Sequence, residues 1–284
     1  MRTNILGRLS VDESTLSDEL DRSRSFEYAE QYAEFQSGSR PWRTCMLWSV
    51  GGEVGDGVIA RYDTSQACRP TIYGEQLPYL RQIVEQQFAV EHLLFARLVV
   101  MTDNVLLPHR DFLEFTERPS GTHPTHRFHV PLATGEDCLF MEDNIIYRML
   151  FGEVWALDVT RMHSAAVLRD TRRVHLILDF ADVPEATLLK FDFDDTAGIP
   201  ERNRVGRPPL SERERQAILG LSGAIDCENI REVLGLVIRK HYRKDGGEHY
   251  VWETMAEIGR LSGDPGVQAR VRELFHHCML ERDE

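Results

Sequence analysis

The chain has 284 residues, 42% hydrophobic and 28% charged, the balance of a soluble globular protein long enough for one large core and a smaller one. A formal net charge of −13 makes it a poor non-specific binder of nucleic acid or anionic membrane, yet leaves room for a pocket of arginines that takes a small anion. No apolar run approaches the roughly 20 residues of a membrane helix, and the opening MRTNILGRLSVDES has no apolar signal core, so the expectation is a cytoplasmic protein with neither membrane nor nucleic-acid partner.

Taken in chain order, a strand-like stretch over Ile5–Val11 precedes two expected helices, Glu13–Leu20 and Glu27–Phe35. A strand is expected over Thr44–Val50. Leu80, Ile83, Val84 and Phe88 recur at helical spacing, which predicts a helix over Pro78–Phe88. Strands are then expected over Leu93–Met101, Asp111–Phe115, Arg127–Leu132, Asn144–Met149, Glu153–Val159, Ser164–Leu168 and Val174–Phe180. Many short strands separated by Gly, Pro and Asp turns point to a sandwich or barrel, and no G-x-G-x-x-G or P-loop argues for a nucleotide fold.

The stretch DDTAGIPERNRVGRPP reads as a linker. It divides the chain into a β-rich domain over 1–193, a linker over 194–209 and a helical domain over 210–284. In the last of these, Ser211-x-x-Glu214 forms a capping box and Ile230, Val233, Leu234, Val237 and Ile238 make one apolar stripe. Asp264 then Pro265 opens a final helix whose apolar face is Val267, Val271, Leu274, Phe275 and Cys278. Five scattered cysteines, Cys45, Cys68, Cys138, Cys227 and Cys278, with no C-x-x-C, read as reduced structural thiols.

One spacing carries chemistry. Residues i and i+2 of a strand share a face, so His109 and Asp111 in LLPHRDFLEF can aim at one ion while Arg110 points away. His163 follows the strand GEVWALDV, and Arg173 opens RVHLILDF with His175 on its own face. Two imidazoles and a carboxylate can hold one face of an iron(II) ion and leave the other positions for a keto acid and dioxygen. A guanidinium nearby matches the far carboxylate of a dicarboxylate cosubstrate. A lone H-x-D among eleven histidines means little; the four residues together mean more. A non-catalytic cupin-like binding module and a zinc hydrolase are the rival readings. The first gives the triad no purpose, and the second gives Arg173 none.

The stretches PHRDFLE, RFHVPL, GEVWALDVTRMHSA and RRVHLILDF, with the opening residues, LPYLRQIV and REVLGLVIRKHY, resemble the bacterial hydroxylases of free L-proline and related cyclic imino acids. The resemblance spans nearly the whole chain. It implies a double-stranded β-helix, a jelly-roll and cupin-like core, followed by a small helical domain. It implies iron(II) on His109, Asp111 and His163, with 2-oxoglutarate as cosubstrate and dioxygen as oxidant. Arg173, rather than its neighbour Arg172, matches the arginine for the distal carboxylate of 2-oxoglutarate.

Arg127 and His129 match an R-x-H pair of the site, which divides between cosubstrate and substrate; His129 is placed with the cosubstrate and Arg127 with the substrate. Arg97 in FARLVVM is the candidate for the substrate carboxylate, with a surface salt bridge as the plain alternative. Trp155 and Trp48 are pocket walls or core. The histidine-rich HPTHRFH, with His123 and His126, reads as a lid rather than a second metal site. His175, Asp158 and Asp179 are assigned no catalytic part. The expected reaction is hydroxylation of a ring carbon of a free imino acid, leaning to L-pipecolic acid at C3, with L-proline 3- or 4-hydroxylation as the alternative. With Arg173 assigned, Arg97 and the Arg127/His129 pair are left without an anion, which favours a substrate bearing a free carboxylate.

Overall fold

The computed structural model describes residues 3–30, 36–37, 42–57, 66–111, 126–181, 183–193 and 198–279. Its strands are β1 (Asn4–Arg8), β2 (Gln36–Ser37), β3 (Arg43–Val50), β4 (Cys68–Pro70), β5 (Leu93–Met101), β6 (Val105–Leu106), β7 (His126–Ala133), β8 (Cys138–Glu142), β9 (Ile145–Tyr147), β10 (Glu153–Leu157), β11 (His163–Val167) and β12 (Arg173–Phe180). They form a large sheet of order β1-β10-β7-β12-β5-β3-β4 and a small sheet of order β2-β6-β11-β8-β9. The pairings are antiparallel, as in β12 with β5 and β7, and the two sheets face each other as a double-stranded β-helix.

Helices cover both outer faces. On the large sheet lie α1 (Glu13–Arg22) and α2 (Pro78–Gln87). The small sheet is covered by C-terminal helices α3 (Glu212–Leu219), α4 (Ile230–Arg243), α5 (Tyr250–Ser262) and α6 (Pro265–Met279). The strands obey a period of two between these layers. On β12, Val174, Leu176, Leu178 and Phe180 join the cluster under α1 and α2, while Arg173, His175, Ile177 and Asp179 turn inward. On β11, Ala166 meets the C-terminal helices while Ala165 and Val167 turn inward. No helix among the described residues is long and apolar enough to cross a membrane.

Helix ends are tied by side chains. Asp12 accepts from the Thr15 amide at the start of α1. The buried Glu19 carboxylate accepts from the Tyr79 and Leu80 amides, 2.8 Å each, where the first turn of α2 leaves donors free. Ser211 and Glu214 form the capping box of α3. α4 crosses so close to β2 that a Cβ on Gly235 would sit 2.0 Å from the Ser37 hydroxyl, so only glycine fits there.

The structure departs from the sequence expectations at several elements. Glu27–Glu30 are not helical: Ala29 bridges Thr44 through two backbone hydrogen bonds of 2.8 and 2.9 Å. Sheet pairing has overridden local propensity, and 31–35 lie outside the described residues. The strand expected from Asp111 is absent at Asp111 itself, and 112–125, with His123 and most of the expected lid, are outside the described residues. The strand read over Asn144–Met149 is shorter, Ile145–Tyr147, and is preceded by the unforeseen β8. All five β8 residues are buried, so it shows no alternation, and the turn to β9 places Asp143 at φ 51. α5 carries no separate signal in the sequence reading.

Within the expected linker, 198–209 run mostly exposed but are anchored by two side chains. Asn203 is fully buried and donates to the Arg148 carbonyl and to Glu153, and Arg207 donates to Asn144 and to the His241 carbonyl. Leu139 and Met141 of β8 share one core with Leu234, Val237, Ile238 and Met255, so the C-terminal helices pack directly on the small sheet.

Candidate functional site

A cavity opens between the two sheets. The large sheet contributes Arg97 and Val99 from β5, Arg127 and His129 from β7, Leu157 from β10, and Arg173 and Ile177 from β12. The small sheet and its approaches contribute Leu106, His109, Asp111, Phe140 and His163. His109 and His163 are held together by a backbone bridge, His109 N–H to the His163 carbonyl at 3.0 Å and the reverse bond at 2.9 Å. The Asp111 amide donates to the Val159 carbonyl at 3.0 Å.

Ligand atoms of His109, Asp111 and His163 all lie within 4.8 Å of one another. Each histidine is set in one tautomer. Nδ1 of His109 lies 2.7 Å from the Leu107 carbonyl and Nδ1 of His163 lies 3.0 Å from the Arg161 carbonyl. A carbonyl only accepts, so each Nδ1 carries the proton and each Nε2 keeps its lone pair for a metal. Asp111 Oδ1 is 3.6 Å from His109 Nε2. The donor set is therefore two imidazole nitrogens and a carboxylate oxygen on one side of a cavity, which fits a divalent transition metal such as iron(II).

Opposite stands Arg173. It is 3% exposed, and its Nη2 donates to Nδ1 of His175 at 3.1 Å. Among the described residues no carboxylate lies within ion-pair distance of it. Burial pushes its pKa down to about 10. Arg172 faces away and lies nearer Tyr28, Arg24 and Arg43. Burial, then the charge of Arg173, holds the imidazoles of His129 and His175 well below the usual histidine range, so both are neutral hydrogen-bonding groups.

Arg97 and Arg127 do not stand without an anion, as the sequence argument has it. Asp179 lies between them, with Arg127 Nε 2.6 Å from its Oδ1 and Arg97 Nη2 3.6 Å from its Oδ2. Arg127 also donates through Nη1 to Asp111 Oδ2. Among the described residues, three guanidiniums, Arg97, Arg127 and Arg173, and two carboxylates, Asp111 and Asp179, surround the cavity.

Trp155 is not brought to the cavity wall. It is fully buried opposite His129, with its indole N–H on Glu153 at 3.0 Å and its ring against Tyr147. Trp48 is core under α1 and α2. The aromatic walls are Trp42 and Phe140, which sequence reasoning missed. Trp42 stands just before a strand, where no alternation marks its direction. Ser164 also lines the cavity and accepts from the Tyr242 hydroxyl of α4 at 3.1 Å. His126 pairs with Glu185 at 3.5 Å, away from the metal cluster.

Comparison with known proteins agrees with this architecture. Residues 11–182 match the aspartyl/asparaginyl beta-hydroxylase family, and residues 186–284 match the family described as L-proline 3-hydroxylase, C-terminal. The L-proline cis-4-hydroxylase of Rhizobium meliloti (strain 1021) is 30% identical over 100% of this chain and 98% of its own. An L-proline cis-3-hydroxylase of a Streptomyces species is 30% identical over 96% of this chain and 93% of its own. Among solved structures, HygX from Streptomyces hygroscopicus, with nickel and 2-oxoglutarate bound, aligns over 61% of this chain and 80% of that one at 12% identity, with a TM-score of 0.36. With both halves matched and full-length relatives on hand, the chain belongs to the aspartyl/asparaginyl beta-hydroxylase family.

Proposed function

We propose that the protein is an iron(II)- and 2-oxoglutarate-dependent dioxygenase that hydroxylates a ring carbon of a free cyclic imino acid. The observation that carries this reading is the buried Arg173, which has no acid partner among the described residues and shares a cavity with the His109, Asp111 and His163 cluster. An isolated buried cation is costly, and a dianionic keto acid that reaches from the metal to the guanidinium removes the cost.

In this reading His109, Asp111 and His163 hold iron(II), and Arg173 takes the distal carboxylate of 2-oxoglutarate with the neutral His129 beside it. When bound, the metal and cosubstrate supply the oxidising power of dioxygen, 2-oxoglutarate leaving as succinate and carbon dioxide while one oxygen atom enters the substrate C–H bond. The chain's own part is to orient and to exclude water. Val99, Leu106, Phe140 and Ile177 give the cavity apolar walls for a saturated ring. We assign the substrate carboxylate to Arg97, a guanidinium that lines the cavity and is 3% exposed.

The names of the relatives favour L-proline as the ring, at C3 or C4. No residue of the lining singles out L-pipecolic acid, which stands as the second substrate to try. The test is succinate release by purified protein with each imino acid, with iron(II), 2-oxoglutarate and dioxygen each omitted in turn, and the product's hydroxyl position read by NMR. His109→Ala, Asp111→Ala and His163→Ala should each abolish turnover. Succinate release that is indifferent to iron or to all three changes refutes the reading.

A further inference from the structure

We propose that Arg127 is a positioning residue that holds the Asp111 carboxylate in a one-oxygen ligand pose, and that Asp179 fixes Arg127 for this task. The proposal rests on the metal-site reading above.

The sheet register sets up the clamp. Asp179 of β12 lies directly opposite Arg127 of β7, at the distance where cross-strand side chains meet without searching. Arg97 of β5, opposite Ile177, reaches Asp179 on the diagonal from the other side. Asp179 is thus bracketed by an arginine from each neighbouring strand. Arg127 commits Nε to Asp179 at 2.6 Å, and a guanidinium is planar, so that bond also fixes where its other nitrogens point. Nη1 points at Asp111 Oδ2. All three side chains are largely buried, with 14%, 17% and 11% exposure for Arg127, Asp111 and Asp179.

The consequence falls on Asp111. Its amide is already tied to the Val159 carbonyl, and its Oδ2 is taken by Arg127. Oδ1 is the oxygen left facing His109 Nε2, at 3.6 Å. A carboxylate held this way offers one oxygen, not two, and so leaves an extra coordination position for exchangeable ligands. Two of the Arg127 nitrogens are spent on protein carboxylates.

The experiment measures Co(II) binding by calorimetry to metal-stripped, full-length protein, alongside KM for L-proline at saturating iron. The wild type should bind one equivalent. Arg127→Gln should weaken Co(II) by on the order of 10–100-fold, the usual cost of losing a group that orients a ligand, and should change the visible spectrum of the Co(II) protein. Asp179→Asn, which leaves Arg127 present but unfixed, should weaken Co(II) in the same direction and serves if the Gln variant does not fold. Wild-type Co(II) affinity in either folded variant, with only KM for the imino acid raised, overturns the proposal and makes Arg127 a substrate anchor. A wild type that binds no divalent ion removes the metal-site reading itself and this proposal with it.

Discussion

Trp252 of α5 donates its indole N–H to the carbonyl of Pro108 at 3.1 Å, so a C-terminal helix holds the backbone one residue before His109. One residue after it, the Arg110 amide donates to the Cys278 carbonyl of α6 at 3.0 Å. The segment that carries His109 and Asp111 extends from β6, which is only two residues long. Its precision therefore comes from the C-terminal helices together with the His109–His163 bridge to β11. Trp252→Phe should keep the edge contact with Phe275 while stranding a buried carbonyl, at a cost of about 1–3 kcal/mol. We expect a lower thermal midpoint and weaker Co(II) binding together. Unchanged metal affinity would mean that the helices only cover the small sheet.

Arg173→Ala should act on the cosubstrate. Losing a desolvated, bidentate charge pair costs on the order of 2–5 kcal/mol, so the requirement for 2-oxoglutarate should rise by at least tenfold while iron binding is little changed. Arg172→Ala should be mild, since Arg172 is only half-buried and lies outside the cavity. A more damaging Arg172→Ala, read from 2-oxoglutarate titrations of both variants, would mean that the two faces of β12 are exchanged in solution.

Local sequence carries some of this and not the rest. The i, i+2 rule aims both His109 and Asp111 inward, and RVHLILDF gathers its three polar residues, with Ile177, on one face and only apolar residues on the other, so the inner face of β12 can be read directly. What cannot be read is partnership. The pairs Asp179 with Arg127, 52 residues apart, and Trp252 with Pro108, 144 apart, depend on register and packing that no local pattern encodes. β8 escapes notice because helices on one side and the large sheet on the other bury both its faces, which erases alternation. Trp155 is read as wall or core, and its depth between the sheets, which decides for core, is not a sequence property.

His241 gives a dependence on pH. It is 1% exposed, stacks on Tyr250 at 5.2 Å, and is pushed down to about 4 by burial and then by Arg207. The unfolded chain takes up this proton near 6.5, before the folded one does. Its contribution is thus fully present above pH 6.5 and is lost as pH falls toward 4, by about 3 kcal/mol over the window. His241→Phe keeps an aromatic ring against Tyr250 without a titrating group. Its thermal midpoint should fall less steeply than that of the wild type between pH 6.5 and 4. Parallel curves for the two proteins would place the acid sensitivity elsewhere.

The substrate should be a free acid rather than a peptide or amide. The reason is local: Arg97 and Arg127 stand at the cavity, and a buried guanidinium is stabilised by a carboxylate placed directly against it. A free imino acid brings a carboxylate; an internal peptide residue or an amide brings a neutral carbonyl. We propose Arg97 as the group for the carboxylate, since it lines the cavity and is 3% exposed. Arg97→Ala should therefore cost on the order of 2–5 kcal/mol in kcat/KM with free L-proline and little with L-proline amide, which the wild type should already use poorly. The check is kcat/KM for acid and amide in both proteins. Equal wild-type activity on the two substrates, or an equal loss on both in the variant, would remove the carboxylate from the recognition and point instead to a hydroxylase of peptide-bound residues.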